Sequence, residues 1–329
     1  MKKIPKITTM GGGTGQFTVL SGIKNLGWDI SAIVNMVDDG GSTGILRDDF
    51  GVLPPGDVRQ CLVALSRSDK IMRDLFNYRF DKGELSGHNF GNLFITSLEK
   101  ITGSFEDAIS RVSDVLAIKG NVIPVTIKNT HLCLKTKNGK IIKGQHKIDN
   151  SFFEENRGFS KIFLKPEAEI NKRAEKAILE SDIIVIGPGS FYSSIVPNLI
   201  VKGVSGALKK TKAKKVFVCN LVNKPGQTDG FTVRDYLNKM EEFIGAQIFN
   251  YVIYNNKIPE KKILKRYEKE GENLVWFNKN EINNEILQLS ADLISKKIPE
   301  RLSYDKIERT LIRHDPLKIA GLIKRIYEE

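Results

Sequence analysis

The chain has 329 residues, enough for one large domain or two smaller ones and for a core that needs no disulfide or metal staples. Hydrophobic residues make up 40% and charged residues 27%, ordinary globular usage that excludes disordered, collagen-like and coiled-coil classes. The formal net charge is +12, but only 14 of the 51 cations are Arg, the residue whose fork suits base and phosphate readout.

Lys6–Met10 reads as a short strand running into Gly11, Gly12 and Gly13. Gln16–Leu26 follows with Phe17, Leu20 and Ile23 at helical spacing, and Asp29–Val37 is a second strand rich in Ile and Val. This strand–loop–helix–strand unit opens a doubly wound α/β sheet. From Pro55 to about Leu116 the periodicity is helical, with Pro55 near a helix start and Ser104 and Asp107 spaced as a capping pair. Asn121–Lys128, His131–Lys137 and Lys140–Ile148 are strand-like, and Asn138-Gly139 is a two-residue hairpin signal. They form an expected β-rich insert that extends to Leu164. The α/β rhythm then resumes, with strands at Ile183–Ile186, Lys215–Asn220, Ile248–Tyr254 and Leu274–Phe277. Helical stretches lie at Glu167–Glu180, Val233–Ile244 and Glu260–Glu270, and His314-Asp315-Pro316 opens a last helix with Asp315 as N-cap. The expectation is a single α/β domain with a mostly parallel sheet: an N-terminal half over 1–118, the insert over 119–165, and a C-terminal half over 166–329 that completes the sheet.

No apolar run approaches the ~18–20 residues that cross a bilayer, and the first residues, MKKIPKITTMGGGTG, lack the apolar stretch of a leader. Cys61, Cys133 and Cys219 lie far apart with no CxxC pair, the pattern of reduced thiols in a cytoplasmic protein. The densest basic run, Lys209–Lys215, holds no aromatic for base stacking, so the charge is expected to be solvated surface rather than a nucleic-acid site. The positive field still attracts small anions.

The chemistry concentrates in loops. GGGTG, residues Gly11, Gly12, Gly13, Thr14 and Gly15, joins a strand to a helix, where glycines let a phosphate approach amides at the helix N-terminus. It is not the dinucleotide fingerprint, since Gln16 stands where the third glycine belongs, and no Lys-Ser or Lys-Thr follows as in a P-loop. The alternative is a glycine turn that only packs a helix on a strand. DDGGSTG, from Asp38 through Asp39, Gly40, Gly41 and Ser42 to Gly44, falls at the C-terminal end of the second strand. Its carboxylates can accept a ribose hydroxyl or hold Mg²⁺ against a diphosphate; otherwise they cap the turn. In PPGDVR, Asp57 and Arg59 either orient a bound group or pair with each other on the surface. GHNFGNL supplies His88 as a candidate acid, base or donor, alternatively a structural residue, with Asn89 and Asn92 as candidate ligand contacts. GPGS, Gly187 to Ser190 with Gly189 between, repeats the strand-then-glycine logic, and Asn220 follows the next strand in the same way. Loops after parallel strands gather along one edge, which predicts a single cleft for a nucleotide or phosphate ester. No Ser-His-Asp elbow, HExxH or Cys/His metal set is present in the sequence, which argues against hydrolase and zinc readings.

In order, GGGTG, DDGGSTG, PPGDVR, LSGHNFGNL, IGPGSFYSSIVPNLIV, VCNLVNKPGQTDGFT and the terminal RHDP resemble the motifs of the YvcK/CofD-like superfamily over nearly the whole chain, most closely its YvcK branch of gluconeogenesis factors. The resemblance implies a Rossmann-like core, a cytoplasmic homodimer, and binding of a UDP-sugar such as UDP-N-acetylglucosamine in support of cell shape and peptidoglycan-related metabolism on gluconeogenic carbon. The other branch implies an alternative: Mg²⁺-dependent transfer of a phospho-lactyl group from a guanosine diphosphate adduct to a deazaflavin. By the same resemblance Gly12, Gly13 and Thr14 match the phosphate loop, Asp38 the acidic strand end, and Arg313 the Arg-His-Asp associated with nucleotide binding. Asp57 takes the place of a transferase Asp near deazaflavin and metal, making Asp38, Asp39 and Asp57 the candidate Mg²⁺ ligands. Two departures weigh against transfer: Pro-Pro-Gly-Asp-Val-Arg replaces a serine-rich SPDxDT-like stretch, and Gly-His-Asn-Phe-Gly-Asn replaces a Gly-Asp-Arg-Asp-like segment.

Overall fold

Short runs of Ile, Val and Phe bounded by glycine make the central strands, and they are buried on both faces: Ile183, Ile184, Val185, Val216, Phe217 and Val218 are all fully inaccessible. Strands of this kind belong to a parallel sheet covered by helices on each side. A computed structural model describes residues 3–151, 158–277, 286–296 and 312–329. The first half contains β1 (Lys6–Gly11), α1 (Gly13–Ile23), β2 (Asp29–Val34), α2 (Gly41–Phe50), α3 (Pro55–Leu65), α4 (Lys70–Asn77), α5 (Phe90–Thr102), α6 (Phe105–Val115) and β3 (Asn121–Pro124). Next come β4 (His131–Thr136), β5 (Ile141–Lys143), α7 (Gln145–Asp149) and β6 (Phe159–Lys165). The second half contains α8 (Lys172–Glu180), β7 (Ile183–Ile186), a π-helical turn Phe191–Ile195, α9 (Val196–Leu199), α10 (Val204–Lys210) and β8 (Lys214–Val218). It ends with α11 (Val233–Ile244), β9 (Tyr251–Asn255), α12 (Lys261–Lys269), β10 (Leu287–Ala291) and α13 (Pro316–Glu328).

The large sheet has seven strands in the order β10-β9-β8-β7-β1-β2-β3, every neighbouring pair parallel. The expected α/β class is therefore what forms. The chain steps outward from β1 through β2 to β3, then returns to β7 on the other side of β1 and steps away through β8 to β10. The winding direction reverses between β1 and β7, and in open sheets the ligand crevice lies outside the carboxyl ends of the strands at that reversal. Gly11 ends β1 and Gly187 follows β7 at this place.

The smaller sheet is antiparallel, in the order β5-β4-β6. Asn138-Gly139 makes its hairpin: Gly139 has φ 90° and the Thr136 amide donates to the Lys140 carbonyl at 2.9 Å.

The largest differences from the sequence expectations fall in three places. Asn121–Lys128 does not join the insert; its first four residues are β3, paired in parallel with Ser31–Val34 of β2. A strand's own residues do not say which sheet will take it. Lys140–Ile148 is strand only over Ile141–Lys143, because Gly144 turns the chain at φ 110° into α7. Leu274–Phe277 adds no strand to the sheet: Leu274 makes one antiparallel bridge to Val222, and Phe277 stacks on Tyr254 at 4.0 Å between ring centroids. The sheet takes β10 beside β9 instead. The caps form as read, with Ser104 accepting from the Asp107 amide at 3.2 Å and Asp315 from the Leu317 amide at 2.9 Å.

Candidate functional site

The glycine loop after β1 is defined by how closely other groups approach it. A β-carbon on Gly15 would stand 2.1 Å from the Pro188 carbonyl oxygen, so the first turn of α1 lies directly against the loop after β7. Gly189 packs over the Gly12 carbonyl, and Asn220 holds it from the far side: Asn220 Nδ2 donates to the Gly189 carbonyl at 2.9 Å and the Gly189 amide returns a bond at 3.4 Å. The loops after β1, β7 and β8 thus meet at the reversal of winding. Thr14 is exposed on the first turn of α1, and Ser190 opens the π-helical turn, whose Ser194 amide donates to its carbonyl at 2.8 Å.

Asp57, near the start of α3, closes the loop from the β2 side. A β-carbon on Gly12 would stand 2.5 Å from Asp57 Oδ2 and 2.0 Å from Asn35 Nδ2. The Gly13 amide hydrogen-bonds the Asp57 carboxylate, and Asn35 Nδ2 donates to Oδ2 at 2.7 Å. Asp38 comes from the next loop: its Oδ1 accepts from the Gly40 amide at 3.1 Å, the Thr43 hydroxyl also bonds it, and Oδ2 crowds Gly56, where a β-carbon would stand 2.4 Å away. Burial pushes the Asp57 carboxyl up to about 7, with the Asp38 charge adding to the rise. Burial raises Asp38 as well. Two carboxylates on either side of Gly56 share this corner of the crevice.

Asp39 does something else. Its Oδ2 accepts from the Gln145 amide at 3.1 Å and its Oδ1 from the His146 amide at 2.7 Å, so both oxygens cap α7. Mg²⁺ keeps several waters and takes one or two carboxylates plus substrate phosphates. Asp38 and Asp57 fit that requirement by standing together beside the glycine loop, whereas Asp39 is turned to α7. Among the described residues no group of three or more His, Cys, Asp or Glu side chains is placed to cage a metal.

The GHNFGNL residues form a buried scaffold beneath the acidic loop. Asn89 caps α5, accepting from the Asn92 amide at 3.1 Å, and Asn92 accepts from Arg59 Nε at 3.0 Å while its own amide reaches Ser42 and Thr43 at 3.4 Å. These two asparagines are spent within the protein. Arg59 is buried too, bonded to Asn77 at 2.7 Å, so Asp57 and Arg59 are not a surface pair. His88 keeps a half-exposed edge, its Nδ1 3.3 Å from Ser42 Oγ beside Gly41, which starts α2. In the C-terminal segment Arg313 precedes His314, whose buried Nε2 lies 3.0 Å from the Cys219 carbonyl, next to Asn220. Burial pushes His314 down to about 4.

The profile of the family described as 2-phospho-L-lactate transferase CofD matches residues 7–294. The chain belongs to the CofD family. Curated relatives align along nearly all of it: a "Putative gluconeogenesis factor" of Clostridium acetobutylicum is 40% identical over 98% of this chain and 69% of its own. The "Gluconeogenesis factor" of Bacillus subtilis is 36% identical over 100% of both chains. A crystal structure of a UPF0052 family member from Bacillus halodurans superposes with a TM-score of 0.89 at 33% identity, covering 98% of this chain and 100% of that one.

Two residues that build the site in this CofD-family chain were not among the expected site residues. Asn35, which orients Asp57, is a polar residue closing an apolar strand, and that break in composition is its one sequence signal. Asn198 lies inside the IGPGSFYSSIVPNLIV stretch without being singled out there, and it donates to the Gly11 carbonyl at 3.1 Å from 187 residues away. Among the described residues no helix is long and apolar enough to cross a membrane.

Proposed function

We propose that this protein binds a nucleotide sugar in the crevice between β1 and β7 and acts as a regulatory factor of gluconeogenic growth. The supporting observation is the meeting of three strand-end loops at one point: Gly15 against Pro188, Gly189 against Gly12, and Asn220 clasping Gly189. Glycines there put no side chain in the way, so a diphosphate can approach the backbone closely. In this reading Thr14 adds a hydroxyl donor, Arg313 a cation near the nucleotide, and Asp38 an acceptor for the ribose or a ligand for Mg²⁺. The relatives named gluconeogenesis factors support the physiological role. The ligand is a UDP-sugar, UDP-N-acetylglucosamine foremost, and the working form is a cytoplasmic homodimer serving cell shape.

Isothermal titration with UDP-N-acetylglucosamine tests the reading. Binding should weaken by about tenfold or more, ~1.4 kcal/mol, in Thr14→Ala and Arg313→Ala. Absence of heat at high micromolar ligand, or unaltered binding in both variants, defeats it.

A second reading, phospho-lactyl transfer to a deazaflavin, is favoured by the carboxylate pair Asp38 and Asp57 and by the family description. Phosphoryl-type chemistry needs positioning and charge neutralisation, which Mg²⁺ on two carboxylates supplies. An assay with a deazaflavin, an activated lactyl or pyruvyl donor and Mg²⁺ decides: no product removes this reading.

A further inference from the structure

α7 has five residues, yet both of its ends are fastened, and to opposite halves of the molecule. At its start Asp39 accepts from the Gln145 and His146 amides. At its end Gln227 Nε2 lies 2.9 Å from the Ile148 carbonyl, 2.9 Å from that of Asp149 and 3.1 Å from that of Ser151. The Asp149 carboxylate takes Lys224 Nζ at 2.5 Å and the Ser193 hydroxyl. These anchors come from the loops that follow β2, β7 and β8. In the sheet those strands stand in the order β8-β7-β1-β2, so the fastenings bracket β1 and its glycine loop. Three inter-strand steps amount to about 14 Å, a span that α7 and its flanking residues bridge.

The two fastenings differ in quality. Asp39 offers one oxygen to each of two amides, a pair of charge-assisted bonds. The Gln227 amide has two hydrogens facing three carbonyls, and its Oε1 is buried with no hydrogen-bond partner among the described residues. Release to water would satisfy that oxygen. The Lys224–Asp149 pair is partly solvated on both sides, with side chains 31% and 28% exposed, so it holds only modestly. The fully buried Ile148 favours the closed position.

We propose that the α7 segment is a strap across the diphosphate crevice, hinged at Asp39 and latched by Gln227, which opens to admit the ligand and closes over it. The proposal rests on the reading that this crevice binds a nucleotide diphosphate. His146 rides on the strap: its Nδ1 is 3.6 Å from where a Gly40 β-carbon would stand, so closure brings an imidazole against the Gly40–Ser42 turn. Gln227 and Asp39 are positioning residues in this scheme, acting through α7.

Hydrogen exchange of the full chain, read on peptides covering 144–151, tests the strap with Gln227→Leu and the milder Lys224→Met. In the free protein, exchange there should quicken about tenfold or more in Gln227→Leu and less in Lys224→Met, while peptides of β7 and β8 keep their protection. Saturating UDP-N-acetylglucosamine should slow exchange at 144–151 in the wild type, and Gln227→Leu should weaken binding by about threefold or more. Wild-type exchange rates in both variants overturn the latch. Calorimetric binding with no change of exchange at 144–151 overturns the strap as a cover. A wild type that does not bind defeats the nucleotide-sugar reading and the cover with it, and the free-protein rates still decide whether Gln227 is a latch.

Discussion

The Asp57 carboxylate lies against the backbone of Gly12, so close that a β-carbon on that glycine would stand 2.5 Å from Oδ2. Gly12 has φ −170°, extended backbone open to any residue, so the constraint is purely one of space. Gly12→Ala should therefore drive Asp57 and Asn35 apart and destabilise the fold by ~1–3 kcal/mol in urea unfolding. Gly13→Ala makes the opposite test. There the nearest atom is 3.8 Å away but φ is +60°, so the cost of about 1 kcal/mol comes from the left-handed backbone. A Gly12→Ala protein as stable as the wild type would show that the Asp57 contact is slack.

Asp57 should titrate near neutrality. Its carboxyl is held up to about 7, first by burial and then by the Asp38 charge. In carbon-13 spectra of the carboxyl group, Asp38→Asn should move that titration to lower pH, because it removes the like charge. The stability consequence has a definite sign. Between about 4 and about 7 the folded state holds a proton that the unfolded chain releases, so stability declines as pH rises through that window and levels off above it. An Asp57 titration at ordinary carboxylate pH would remove the coupled pair from the site.

Much of the architecture was legible because the local signals agreed with one another. Glycines after β1 and β7, and Asp315-Pro316 at the start of α13, punctuate the chain where the elements change. What was not legible depends on partners distant in sequence. Gln16 breaks the dinucleotide spacing because it stitches β1 to β2 instead, its amide donating to the Ile33 carbonyl at 2.9 Å and to the Thr9 hydroxyl at 3.1 Å. Asp38 and Asp39 look equivalent in the sequence, yet one packs on Gly56 and the other reaches 106 residues ahead to α7. Adjacent side chains diverge, and composition cannot say which of them faces the crevice.

That divergence separates the two carboxylates in a Mg²⁺ titration. With Asp39 committed to the Gln145 and His146 amides, Asp39→Asn should change Mg²⁺ affinity by less than about threefold. Asp38→Asn should weaken it by about tenfold or more, since a Mg²⁺ site of this kind rests on one or two carboxylates. The Asp57 carboxyl shift reports binding in each case. Equal losses in the two variants would return Asp39 to the candidate Mg²⁺ ligands.

His314 gives the C-terminal segment its own pH signature. The imidazole is buried with Nε2 3.0 Å from the Cys219 carbonyl, an arrangement that needs the proton on Nε2, and burial disfavours a second proton and its charge. Its folded pKa of about 4 lies below the ordinary histidine value of ~6.5. Between those values the unfolded chain binds a proton that the folded chain refuses, so His314 makes stability fall as pH drops from about 6.5 towards about 4, by up to ~1.4 kcal/mol per pH unit. His314→Gln keeps a donor for the Cys219 carbonyl and removes the titration. Urea midpoints at pH 7 and pH 5 should therefore converge in the variant relative to the wild type. If the wild-type and variant slopes coincide over this window, His314 is solvated in solution and the tether between the end of β8 and the start of α13 is open.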